Sequence, residues 1–122
     1  MRTRKTTAVA FALLALIAAL CLPTLHGAQA APSGPRAEAQ RILKTSGING
    51  GLVVHLGCGD GRLTASLRAN ENILVHGLDT DPDAVRQARA HIRELGIYGP
   101  VSVKQFDGTH LPYAGNLVNL LV

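Results

Sequence analysis

The seven residues His55-Leu56-Gly57-Cys58-Gly59-Asp60-Gly61 carry the densest chemistry in the chain. Glycines at alternate positions permit a tight turn and let backbone approach a bound molecule closely. An apolar run precedes the cluster and a helical pattern follows it. The turn therefore sits where a strand hands over to a helix, with N–H groups at the helix start free to face a ligand. The spacing discriminates between ligands. A dinucleotide turn wants its third glycine at position 62, which is Arg62; here the third glycine is Gly61, giving G-x-G-x-G. A P-loop wants Gly-Lys-Ser/Thr, and none follows.

Asp79 ends a second apolar run, downstream of the turn. A carboxylate there can accept hydrogen bonds from both hydroxyls of a ribose held at the first turn. Asp81 precedes Pro82 and reads as a helix cap. His55 is either a packed strand histidine or a group that orients the turn; neutral, it supplies no fixed charge. His76, His91 and His110 fall in no metal-ligand spacing, so no metal site is expected. Cys58 has no identifiable base nearby in sequence and is read as a small turn residue rather than a nucleophile.

The elements that must position these residues follow from periodicity. Pro35 opens a helix with Ala39, Ile42 and Leu43 on one side, and Gly47 stops it. Leu52 to Leu56 and Ile73 to Leu78 are apolar strands, with a helix over Arg62–Asn70 between them. Asp81 to Gly96 holds the clearest helix, with Val85, Ala88, Ile92 and Leu95 drawing an apolar face. Arg86, Arg89 and Arg93 share another face, expected to be a solvated surface. Val101 to Phe106 is a third strand, and Leu117 to Val122 a fourth. Apolar strands alternating with amphipathic helices predict an α/β fold: a partial, Rossmann-like parallel sheet of about four strands, with helices on both faces.

A chain of 122 residues has room for one domain. Residues 1–30 stand apart from it. Arg2, Arg4 and Lys5 lead an uncharged run from Ala8 to Leu22, Pro23 breaks the run, and Ala28-Gln29-Ala30 offers a cleavage site. The run covers only about 22 Å, short of a hydrocarbon core of roughly 30 Å. A cleaved Sec signal peptide is expected, then a linker over 31–35 and a domain from 36 to 122. The mature chain would be periplasmic or secreted, with no stable membrane span unless the signal is retained. Without residues 1–30 the balance is nearly neutral, so the high overall pI of about 9.6 gives no reason to expect nucleic acid. Only Cys58 lies beyond Ala30, so no internal disulfide is expected there.

Taken in order, these motifs resemble the class I, Rossmann-like S-adenosylmethionine-dependent methyltransferases. Leu52 to Gly61 is similar to that family's first motif, and Gly77-Leu78-Asp79-Thr80-Asp81-Pro82 to its second, whose acid binds ribose. Asp107 stands where the family's acid meets the adenine amino group, and Leu111 to Val122 resembles the loop and strand that follow. The resemblance implies S-adenosylmethionine as cofactor, held by His55, Gly57, Cys58, Gly59, Gly61, Asp79 and Asp107. The family has an acid at the position of His55 and an Asp at that of Asn119. It also has seven strands against four here, so a fragment without turnover of its own is expected, with the methyl acceptor and catalytic base unassigned. A downstream domain such as a pyrroloquinoline-quinone-type β-propeller is one continuation the resemblance suggests. The alternative is an exported, non-catalytic nucleotide- or protein-binding domain that keeps the fold.

Overall fold

In a computed structural model the described residues are 31–122, which form one compact unit; the signal-peptide reading lies outside them. Helix α1 spans Pro35–Ser46, β1 Gly51–Leu56, α2 Arg62–Ser66, β2 Ile73–Asp79, α3 Pro82–Glu94, β3 Val101–Gln105 and β4 Leu120–Leu121. The strands form one parallel sheet in the order β3-β2-β1-β4. No helix among the described residues is long and apolar enough to cross a membrane.

The parallel α/β sheet is the one expected from the sequence. The helices, expected on both faces, all join one cluster among the described residues. Ala39 and Leu43 of α1, Ala65 of α2, and Val85, Ala88 and Ile92 of α3 pack with Val53, Ile73, Val75, Val101 and Val103. Val53, Val75 and Val101 are register partners, so they project from the same face. Topology demands this arrangement. The steps from β1 to β2 and from β2 to β3 run the same way across the sheet, and right-handed crossovers put both helices on one side. The other face carries Leu52, Leu74 and His76. Tyr113, from the loop after β3, rests edge-on against the His76 ring at 5.6 Å between centroids and shares a hydrogen bond with its Nδ1.

Local chemistry sets the element ends. The Asp81 carboxylate accepts the Asp83 N–H at 2.9 Å, the cap expected for α3. The apolar face continues only to Ile92: Leu95 is the C-terminal cap residue and is 52% exposed. Helix α2 stops at Ser66 instead of Asn70. The Asn70 carboxamide accepts the Asn72 N–H at 2.8 Å and donates to the Asn49 carbonyl, so it builds a turn rather than a helical step. Strand β4 is shorter than Leu117–Val122, and Asn116 before it takes a positive φ of 63°. Asn119 then clamps β4 to β1, its N–H donating to the Leu52 carbonyl and its Oδ1 accepting the Leu52 N–H.

On the arginine face of α3, Arg86 and Arg93 are exposed, as expected, and Arg89 is half-buried. Arg89 Nε donates to the Val103 carbonyl at 2.9 Å and so covers the free edge of β3. Arg93 lies 5.0 Å above the Tyr98 ring, and Arg86 pairs with Asp83 at 2.7 Å.

Candidate functional site

Three loops meet at the carboxyl ends of β1, β2 and β3. In the first, Gly57, Gly59 and Gly61 have φ of 68°, 51° and 80°, the left-handed region glycine alone enters freely. The turn runs from β1 straight into α2, as the spacing predicts. A Cβ built on Gly57 or Gly59 would meet nothing within 4 Å, so open space lies above the turn. Gly61 is different: a Cβ there would stand 2.9 Å from Ala88 Cα and Cβ, because α3 crosses directly beneath it. Gly77 is equally confined. Its Cβ would fall 2.9 Å from Cys58 Cβ and 3.1 Å from Thr64 Cγ2, so the bare β2 backbone lets the turn lie close.

The turn's N–H groups, expected to face a ligand, are instead largely spent within the chain. Those of Gly57 and Cys58 both reach the Leu78 carbonyl, at 2.8 and 3.2 Å; Gly61 donates to the Cys58 carbonyl and Arg62 to Asp60 Oδ1. Gly59 donates to Asp79 Oδ2 at 3.0 Å, while Asp79 Oδ1 accepts the Asp81 N–H at 3.0 Å. These donors, the Asp81 N–H foremost, hold the Asp79 carboxyl below its ordinary value. Asp79 is thus ionised and fixed beside the open space over Gly59, with lone pairs on both oxygens still able to accept.

Asp107 follows β3 and is tied to this turn through the backbone. The Phe106 N–H donates to the Asp79 carbonyl at 3.0 Å, Gln105 Nε2 donates to the Thr80 carbonyl at 3.0 Å, and a Cβ on Gly108 would come 3.1 Å from Thr80 Cγ2. Asp107 Oδ1 accepts the N–H groups of Thr109 and His110, each at 2.8 Å, and Oδ2 lies 2.9 Å from His110 Nδ1. The His110 backbone and ring together lower the Asp107 carboxyl to about 2.

His55 and Cys58 lie beneath the turn rather than over it. His55 is buried, with Nδ1 2.8 Å from Thr64 Oγ1. Burial lowers its pKa against the opposing charges of Glu38 and Asp79, so the imidazole is held neutral. Thr64, fully buried on α2, was not singled out from the sequence, because only the fold of the turn brings it to His55. Cys58 is buried and its thiol is pushed up to about 11, chiefly by desolvation. Near neutral pH it is therefore protonated, and a disulfide reagent at pH 8 will react with it far more slowly in the folded chain than in urea. Equal rates in the two conditions would contradict the burial.

A profile describing a methyltransferase domain matches residues 53–122. No curated protein sequence matches the chain. Among solved structures, the chain is similar to an S-adenosyl-L-methionine-dependent methyltransferase of Methanococcus maripaludis, with a TM-score of 0.65 and 23% identity over 71% of this chain and 39% of that one. A geranyl diphosphate methyltransferase in complex with SAM gives 0.61 and 24% over 68% of this chain and 34% of that one. An RNA methyltransferase from Salinibacter ruber in complex with S-adenosyl-L-homocysteine gives 0.54 and 27% over 62% and 50%. The chain thus spans half or less of the length of these three proteins.

Proposed function

This chain belongs to the methyltransferase domain family, and from that premise we propose that it forms the cofactor-binding portion of an S-adenosylmethionine-dependent methyltransferase. One observation carries the reading. The site offers carboxylates and open space, while the N–H groups that would cradle a phosphate are engaged inside the chain. Such a site suits a ligand that brings hydroxyls, an amine and positive charge, and disfavours a pyrophosphate.

Bound S-adenosylmethionine would supply an electrophilic methyl carbon on a sulfonium. The chain's own part is to bind and orient. Asp79 accepts from ribose hydroxyls, Asp107 accepts from the adenine amine, and the bare backbone of Gly57 and Gly59 leaves room for the remainder. Cys58 packs the turn against Gly77, and His55 supports it through Thr64. Transfer in such a site is driven by positioning, and the methyl acceptor would be set by parts of the protein beyond these three loops.

Titration of the chain with S-adenosylhomocysteine and with NAD in a calorimeter tests the assignment. We expect the former to bind at least about tenfold more tightly, the equivalent of roughly 1.4 kcal/mol. Equal or tighter binding of NAD would overturn it.

A second reading, a binding domain without turnover, is favoured by His55. Where the family has an acid, this chain has a neutral imidazole bound to Thr64, so fixed negative charge is missing from the end of β1. The apolar leader over residues 8–22 favours it too, since an exported domain would leave the compartment where S-adenosylmethionine is made. Cofactor binding without methyl transfer by the whole protein would select that reading.

A further inference from the structure

His110 is absorbed neither by the fold nor by the family resemblance, yet it holds the Asp107 carboxylate from two directions. Its backbone N–H and that of Thr109 both reach Oδ1 at 2.8 Å, and its ring Nδ1 reaches Oδ2 at 2.9 Å. A carboxylate has about four lone-pair positions. Two on Oδ1 and one on Oδ2 are occupied, which leaves one acceptor direction, on Oδ2. The loop bearing it cannot drift from Asp79, because Phe106, Gln105 and Gly108 all engage the Asp79–Thr80 segment.

We propose that His110 is a positioning residue for base recognition, turning Asp107 so that its one open acceptor site meets a single N–H donor on the purine edge of the bound nucleoside. The proposal rests on the cofactor reading above and deepens it. With the ring removed, the carboxylate keeps its charge and its contacts to the backbone N–H groups, but Oδ2 loses the partner that fixes its direction. The loss is therefore confined to ligands that carry the amine.

The test compares S-adenosylhomocysteine with its analogue bearing hydrogen in place of the exocyclic amine, by calorimetry on the whole chain. The unaltered chain is expected to prefer the amine-bearing ligand by about tenfold or more, the range of one hydrogen bond to a charged group. His110→Ala narrows that preference to under about twofold. His110→Asn, whose amide nitrogen can stand in for Nδ1, restores most of it. Thermal melts establish that both variants fold. A preference unchanged in His110→Ala overturns the role, as does an equal loss for both ligands, which would mark a merely structural residue. An unaltered chain that binds both ligands equally removes base reading by Asp107. An unaltered chain that binds neither removes the cofactor reading itself.

Discussion

Asp79→Ala is expected to reduce binding of S-adenosylhomocysteine by well over tenfold and, at the same time, to loosen the glycine turn. The two effects share one cause. The carboxylate is ionised, accepts Gly59 N–H on one oxygen and Asp81 N–H on the other, and presents its remaining lone pairs to the space above Gly59. Each charge-assisted bond to a ribose hydroxyl contributes about 1.5–3 kcal/mol, and two such bonds are removed together. Asp79→Asn should show the effects moving together. It keeps one acceptor oxygen but sets an NH₂ against one of the two backbone donors, so the turn loosens as affinity falls. The folded Asp79 carboxyl titrates below the ordinary 3.8. Its contribution to stability is thus complete above that pH and fades as acid carries the solution down through the lowered value. Urea unfolding measured across that window should show a steeper slope in the parent than in Asp79→Ala, whose remaining slope includes that of Asp107. Undiminished affinity in Asp79→Ala would sink the ribose assignment.

The second large effect is on folding. Gly61→Ala should destabilise the domain by about 2–5 kcal/mol: roughly 1–2 for an L-residue in the left-handed region and 1–3 for overpacking. Gly61 has φ of 80°, and its new methyl would stand 2.9 Å from Ala88 Cα, which is helix backbone and cannot swing aside. A domain of this size has few kcal/mol in reserve, so the variant should unfold at far lower urea or not fold at 37 °C. Gly115→Ala is the matched comparison, with open space around it and no positive φ, and should shift the midpoint little. A Gly61→Ala midpoint equal to that of Gly115→Ala would mean α3 does not cross the turn as described.

These two aspects of glycine were unequally legible in the sequence. The G-x-G-x-G spacing gave the turn and its place between strand and helix, because conformational freedom is a property of the residue itself. It could not separate Gly61, pinned against α3, from Gly57 and Gly59, which face open space. That difference arises from which helix crosses where, a tertiary fact. The same limit explains the helix faces: periodicity located α1 and α3 closely, but which side of the sheet they cover depends on crossover handedness and strand order. The helix end expected at Asn70 turned on asparagine, whose side chain bonds the backbone of a turn instead. At the site, Asp79 stood out as an acid ending an apolar strand, whereas Asp107 was marked only by the family resemblance. That the turn's N–H groups were already engaged needed the three-dimensional partners.

The strand order β3-β2-β1-β4 also governs the sequence of assembly. Gly51 meets Ile73, and Val75 meets Val101, across short stretches of chain, so β1, β2 and β3 can join as each crossover helix forms. The remaining edge of β1 must wait for residues 119–122, and the bond between Leu52 and Asn119 closes a loop of 67 residues. Closing long loops costs entropy before any contact rewards it, so β4 joins last and exchanges its amide hydrogens first. Until then an inner strand of this sheet is an open edge, able to pair with any other extended chain, including another copy caught at the same stage.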